Sequence, residues 1–197
     1  MAKRLFDWLA SSVGLVLLAP LFAVLALWIK HDSPGPVFFR QERVGCNGRG
    51  FRIHKFRTMV QDAERRGLQI TAGADARVTR AGRWLRKYKL DELPQLIDVW
   101  RGDMSLVGPR PEVPRYVACY PQDVRAVVLS VRPGITDRAS IEFKDENEIL
   151  GRVQDPDEAY VHEVLPIKLR YYVDYVQTRT FWGDVFIILA TLRALVR

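Results

Sequence analysis

Twenty-two consecutive residues without a charge, WLASSVGLVLLAPLFAVLALWI from Trp8 to Ile29, constrain this chain more than any other feature. As a straight helix the run would measure about 33 Å, enough for the hydrocarbon core of a bilayer. It is too long for the apolar part of a cleaved signal peptide, and no small-x-small site closes it. A spanning helix, a buried core helix and a re-entrant hairpin remain. Pro20 sits near the centre of the run, where its missing donor predicts a break. Basic residues flank both ends, Lys3 and Arg4 before, Lys30, Arg40 and Arg43 after. No Lys/Arg bias separates the two sides, so both ends are expected on the cytoplasmic side. The expectation is a Pro-broken, re-entrant membrane element over residues 1–30 and one cytosolic domain over residues 31–197. A second lipid-facing segment is FWGDVFIILATLRALVR, Phe181 to Arg197. It reads either as an interfacial helix in the head-group layer or as a terminal helix packed on the core.

The 197 residues carry a net charge of +7, unevenly placed. From Arg40 to Arg110 there are 16 Lys/Arg against 8 Asp/Glu, and the remainder holds 14 against 15. The whole excess lies in that window, which implies an anionic partner: nucleic acid, lipid head groups or a phosphorylated small molecule. Cys46 and Cys119 have no CxxC spacing and are expected to stay reduced. His31, His54 and His162 are too scattered for a zinc site.

Between the apolar ends the chain reads as a helix-dominated α+β domain with a small β-hairpin. PVFFRQERVGCNGRGFRIHKFRTM gives two short strands around a turn from Gly45 to Gly50. Its glycines are in the wrong order for a dinucleotide fingerprint, and no Walker lysine follows. Val60–Arg66 and Arg80–Tyr88 are expected to be helical, joined by a loop at Thr71–Ala76. A further helix resumes near Asp91, covers Leu93, Leu96, Ile97 and Trp100 at helical spacing, and ends at Gly102. Pro109 and Pro111 hold Arg110 in an extended loop, which suits a guanidinium for phosphate or leaves it a solvated residue on a rigid turn.

Asp91 and Glu92 end the basic run at that helix start, two residues before Pro94. Unpaired backbone N–H groups there would keep Asp91 ionised, and the nearby arginines would draw a phosphorylated ligand. Adjacent carboxylates can recruit Mg²⁺ through substrate phosphate oxygens. An aspartate so placed can attack phosphorus, although simple helix capping explains such a pair as well.

RVGCNGRGFRIHKFRTM (Arg43–Met59), LDELPQLIDVWRGDMSLVGPRP (Leu90–Pro111) and RPGIT (Arg132–Thr136), in that order after an apolar hairpin, resemble the small monotopic phosphoglycosyl transferases, the bacterial sugar transferases that initiate glycoconjugate assembly. The resemblance covers nearly the whole chain. It implies transfer of a sugar 1-phosphate from a UDP-sugar to polyprenyl (undecaprenyl) phosphate, releasing UMP, at the cytoplasmic face of the bacterial inner membrane. Downstream glycosyltransferases would act on the product. It implies Asp91 as nucleophile forming a covalent phosphosugar intermediate, Glu92 as its partner, and Mg²⁺ beside Asp91. Pro109, Arg110 and Pro111 would hold the nucleotide, and Lys55, Arg57, Arg86 and Arg132 complete the candidate substrate-binding set. Ala19 departs from the serine that many members carry before the breaking proline, and a serine hydroxyl could bond a freed carbonyl. The chain resembles the minimal catalytic form, without the additional membrane helices of larger relatives.

Two other readings stand beside this one. Asp155-Pro156-Asp157 fits the Asp-x-Asp pattern of metal-dependent glycosyltransferases, or a solvated turn. The basic window fits a membrane-tethered nucleic-acid module, but its aromatics are not spaced as a stacking platform and acids interrupt it, so no nucleic-acid partner is expected.

Overall fold

A computed structural model of the protein describes residues 2–63, 75–143 and 150–196. The apolar run forms α1, a 31-residue helix from Ala2 to Asp32. It lies along the rest of the protein on a single stripe. Arg4, Asp7, Ser11 and Gly14, and two turns further on Leu21, Leu25 and Ile29, fall on one face and touch the domain or are buried. The opposite stripe meets no protein, with Val16, Leu17 and Leu27 at 74%, 73% and 73% exposed.

The break expected at Pro20 does not end the helix, which is assigned straight through it. Pro20 is exposed, so its ring faces away from the domain, and its missing N–H deprives only the Val16 carbonyl of a ladder bond. Contacts on either side hold the two halves. Lys3 pairs with Asp184 and reaches the Val107 carbonyl, and Asp7 accepts from Ser105 Oγ and Leu106 N. Leu21, Phe22, Leu25 and Ile29 pack with Phe56 and Leu85. Both ends of α1 are therefore fixed on the same domain.

Strands β1 (Phe38–Val44) and β2 (Gly50–Phe56) form the expected antiparallel hairpin, with Val44 opposite Gly50 and Phe38 opposite Phe56. Val60–Ala63 make a turn where a helix was expected, because Val60 N donates to the Arg77 carbonyl across a bridge between Met59 and Val78. The rest of that expected helix, to Arg66, and residues 71–74 of the expected loop lie outside the described residues.

Helix α2 (Arg80–Lys87) crosses β2's exit closely. Thr79 caps it, accepting from Gly82 N, and Asp32 of α1 accepts from Ala81 N. Lys89, in the left-handed conformation at φ 54°, turns the chain into a single 3₁₀ turn, Leu90–Glu92, and α3 (Gln95–Arg101) follows. The helix expected from Asp91 is thus divided in two, and Pro94 stands before the second part. Gly102, at φ 93°, ends α3 where the sequence indicates.

A parallel pair not foreseen from sequence joins β3 (Ser105–Val107) to β4 (Gly134–Thr136). Short helices α4 (Pro114–Ala118), α5 (Gln122–Val128), α6 (Arg138–Glu142) and α7 (Pro156–Ala159) lead through a π-helical turn, Tyr160–Val164, to α8 (Leu165–Thr178) and α9 (Phe181–Val196). The largest core packs Tyr116, Val117, Val128, Ala139, Leu165, Leu169 and Tyr172 together. Helix α9 packs on the domain as one of the two expectations had it, with Asp184 and Ile187 buried, while Trp182, Phe186, Leu189 and Leu192 are exposed.

Gly82 sets the seat of α2, since a Cβ there would lie 2.0 Å from the Thr58 carbonyl oxygen. Backbone cannot yield as a side chain can. Gly82→Ala is expected to lower stability by at least ~2 kcal/mol, measured by denaturant unfolding, instead of the gain an alanine normally brings to a helix interior.

Candidate active site

Glu92 is held between two cations. Lys55 Nζ, from β2, donates to its Oε1 at 2.8 Å, and Arg110 grips both oxygens, Nη1 reaching Oε2 at 3.0 Å and Nη2 reaching Oε1. The three side chains are only 19%, 17% and 27% exposed. Burial by itself would raise the Glu92 pKa, but the charges and hydrogen bonds of Arg110 and Lys55 outweigh it and hold the group well below the usual carboxylate range. Arg110 is raised well above its ordinary value, chiefly by the Glu92 charge. Lys55 is lowered, burial outweighing the attraction of Glu92.

Asp91 is treated in the opposite way. Among the described residues it has neither a hydrogen bond nor an ion pair within 4 Å. Burial raises its pKa, the Glu92 charge adds to that, and Lys55, Arg86 and Lys89 oppose it. The sequence suggested that a helix start would favour its ionised form. The 3₁₀ turn offers too few aligned peptide groups, and desolvation prevails.

Arg86 stands on the Asp91 side. Its Nε donates to Thr58 Oγ1 at 2.9 Å, and its own pKa is lowered by burial against the pull of Asp91. Arg43, not among the residues expected here, supports the proline loop. It donates to the Pro111 carbonyl at 3.0 Å, lies 3.7 Å from Glu112 Oε2, and feels the charges of Arg110 and Glu92. Its position on β1 opposite the glycine-flanked turn was the available signal. Tyr160 donates to Glu112 at 2.5 Å and so anchors the loop from behind. Pro109 and Pro111 are buried on either side of Arg110.

Lys55, Arg86, Asp91, Glu92, Pro109, Arg110 and Pro111 thus come together. Arg57 and Arg132 do not join them. Arg57 donates to the Ile29, Ser33 and Pro34 carbonyls and closes the C-terminus of α1. Arg132 Nε donates to the Gly102 carbonyl at 2.7 Å, completing with Arg4 the capping of α3, where Arg4 reaches Val99 and Trp100. Both guanidiniums satisfy helix-end carbonyls. The Asp-x-Asp pattern is also structural. Asp155 caps α7, accepting from Asp157 N and Glu158 N, and Asp157 accepts from Tyr116 and pairs with Arg115.

No cluster of three or more His, Cys, Asp or Glu side chains suited to a metal occurs among the described residues. Mg²⁺ does not need one, because it commonly takes one or two carboxylates and completes its shell with substrate phosphates and water. The unengaged carboxylate of Asp91 fits that mode, whereas both oxygens of Glu92 are already held by cations.

The structure thus joins a long apolar helix, fastened at both ends to a domain, to a cationic site that holds an unengaged carboxylate. The chain belongs to the bacterial sugar transferase family, whose model matches residues 1–197. It is 39% identical over 195 residues to the UDP-N-acetylgalactosamine-undecaprenyl-phosphate N-acetylgalactosaminephosphotransferase of Aeromonas hydrophila, covering 98% of this chain and 43% of that one. It is 41% identical over 197 residues to the undecaprenyl-phosphate glucose phosphotransferase of Komagataeibacter xylinus, covering 97% and 35%. It is 38% identical over 196 residues to the UDP-glucose:undecaprenyl-phosphate glucose-1-phosphate transferase of Caulobacter vibrioides, covering 98% and 69%. The chain spans less than half the length of the first two.

The opposite states of the two acids separate their substitutions. Glu92→Gln is expected to lose ~2–4 kcal/mol of stability at neutral pH by leaving Lys55 and Arg110 without their anion. That loss persists down to acid pH, because the Glu92 contribution is present above the ordinary glutamate pKa and disappears only as pH falls through its depressed value. Asp91→Asn, which relieves a like-charge contact, is expected to leave the unfolding midpoint unchanged or raised. Denaturant titrations at neutral and acid pH measure both.

Proposed function

We propose that the protein is a phosphoglycosyl transferase that moves a sugar 1-phosphate from a UDP-sugar to polyprenyl phosphate, giving polyprenyl diphosphosugar and UMP. The observation that carries this reading is the difference between the two adjacent acids. Glu92 is locked by Lys55 and Arg110, and Asp91 has no hydrogen bond among the described residues in the same cationic site. The three relatives, each named for undecaprenyl-phosphate sugar phosphotransfer, support the acceptor and the reaction class.

In the proposed reaction a carboxylate oxygen of Asp91 attacks the sugar-bearing phosphorus of the donor. The bond from that phosphorus to the UMP oxygen breaks, and UMP leaves with the electron pair. The aspartyl phosphosugar is then attacked at the same phosphorus by a phosphate oxygen of the lipid, which restores the free carboxylate. Arg86, Lys55 and Arg110 offset the negative charge of the diphosphate, and the rigid proline loop keeps Arg110 from following the leaving group. Asp91 and the donor's phosphate oxygens would hold Mg²⁺, which when bound neutralises further charge on the diphosphate.

Topologically, residues 1–30 would enter and leave the bilayer on one face, with the domain of residues 31–197 on the cytoplasmic side of the bacterial inner membrane. Two attachments support this. Arg4 and Asp7 fix the start of α1 to α3 and β3, and Arg57 fixes its end, so the two termini share one body. The product would serve downstream glycosyltransferases as a lipid-linked primer.

Incubation with a UDP-sugar, Mg²⁺ and polyprenyl phosphate should release UMP, and UDP release instead would reject the reading. Asp91→Asn should lower turnover at least ~10³-fold and abolish labelling by a donor carrying a radioactive sugar, while the protein stays folded. Because burial raises the Asp91 pKa, the acid limb of the donor half-reaction should lie above the ordinary aspartate range, with rate lost as pH falls. With Cys46 and Cys119 replaced by serine, thiols at Ala2→Cys and Ser33→Cys should react with an impermeant reagent from the same side. Opposite labelling would establish a spanning helix.

A further inference from the structure

Helix α2 is short, but its circumference changes character in one direction. At about 100° per residue, Ala81 and Leu85 turn inward. Next round the helix come Tyr88 and Trp84, then Arg80, Lys87 and Arg83, and last Arg86. The aromatic edge adjoins the membrane helix, for the Trp84 ring meets Trp28 of α1 edge-on at 5.3 Å and Tyr88 at 4.8 Å. These rings remain 42% and 46% exposed, high for side chains of that size. Lys87 Nζ sits 5.4 Å over the Tyr88 ring. The far edge belongs to the candidate active site, since Arg86 lies between Thr58 and the Asp91 charge. Arg80, Arg83 and Lys87 between the two edges are exposed, and α2 contains no acid.

An aromatic edge against α1, a cationic middle and an arginine beside the proposed nucleophile make one continuous path only a few residues long. Trp and Tyr settle at the membrane interface because one part of the ring system is apolar and the other tolerates water. Arg83 and Lys87, four residues apart, lie side by side on the helix surface. They suit a phosphomonoester, which carries nearly two charges at neutral pH, better than a phosphodiester, which carries one.

We propose that the outer face of α2 is the docking site for the phosphomonoester head of the long-chain lipid acceptor. Trp84 and Tyr88 receive the head-proximal part of the chain where α1 leaves its apolar course. Arg83 and Lys87 bind the phosphate, and Arg86 receives it at the Asp91 site. This rests on the transfer reading above, to which it adds the residues that select the acceptor.

The test uses the full chain with Arg83→Gln and Lys87→Gln combined, in phosphatidylcholine vesicles. The KM for undecaprenyl phosphate should rise about tenfold or more. UMP released in a single turnover without acceptor should be unchanged. An unaltered acceptor KM, or an equal loss in the donor half-reaction, would overturn the proposal. A second arm needs no turnover: tryptophan fluorescence is titrated with undecaprenyl phosphate in the same vesicles, and with phosphatidylglycerol at matched charge. A saturable change given only by the phosphomonoester lipid, and lost in the double variant, supports the docking site. An equal response to phosphatidylglycerol means a general anionic-lipid surface and overturns it. Should the unsubstituted protein release no UMP, the transfer reading fails, and the fluorescence arm still decides whether α2 binds the lipid phosphate.

Discussion

One carboxylate held by two cations organises the centre of this protein. Glu92 joins Lys55 of the hairpin to Arg110 of the proline loop, elements far apart in sequence. Removing three charged groups from water is costly, and the attraction among them compensates only when donors and acceptors are well matched. Here both oxygens of the acid are engaged, and Arg43 and Tyr160 fix the loop from behind through Pro111 and Glu112. The cluster stabilises the structure less by its own energy than by what its loss would leave buried, two cations without a partner. It also fixes the electrostatics next door. A permanently ionised Glu92 is the second cause, after burial, that raises the pKa of Asp91.

The long apolar helix obeys a different constraint. Its composition is nearly uniform, so its own sequence scarcely distinguishes one face from the other. The distinction comes from polar residues at its ends: Lys3, Arg4 and Asp7 engage α9, α3 and β3, and the turn after Asp32 is clasped by Arg57. Once those ends are fastened, the stripe running from Arg4 to Ile29 must face the domain, and the Val16–Leu17–Leu27 side must face away. A helix anchored so places its exposed apolar side and the Asp91 site in a constant relation. That is what a reaction between a water-soluble donor and a lipid acceptor requires in the proposed function.

Patterns that depend on local spacing were legible in the sequence. The hairpin followed from two short strands about a glycine-rich turn, the apolar face of α3 from its helical spacing, and the end of α3 from Gly102. The Asp-Glu pair and Arg110 were legible as a candidate site because charge, proline and family motif coincide there. Arginine roles were not. A guanidinium offers the same donors to a phosphate and to the carbonyls at a helix end, and only the fold decides which it meets; Arg57 and Arg132 found carbonyls. The β3–β4 pair joins three-residue segments separated by a long stretch of chain, too short to show a pattern of their own. Arg43 was passed over because a strand arginine beside a turn looks solvent-facing until the proline loop is folded over it.

The division of labour between Asp91 and Glu92 arises from the turn that carries them. In a 3₁₀ turn successive side chains diverge by about 120°, so neighbours in sequence cannot both point at one ligand. Lys89, in the left-handed region, sets the direction from which that turn begins. Glu92 is thereby sent to Lys55 and Arg110, while Asp91 lies in the field of Lys55, Arg86 and Lys89 and bonds none of them among the described residues. Diverging, they take opposite states: the first is ionised and fully engaged, the second is destabilised as an anion and unengaged. A carboxylate with no hydrogen bonds to break is the better attacking group, and a raised pKa marks the stronger nucleophile of two otherwise similar oxygens. In the proposed function, the geometry that ties Glu92 to Lys55 and Arg110 leaves Asp91 as the acid that reacts.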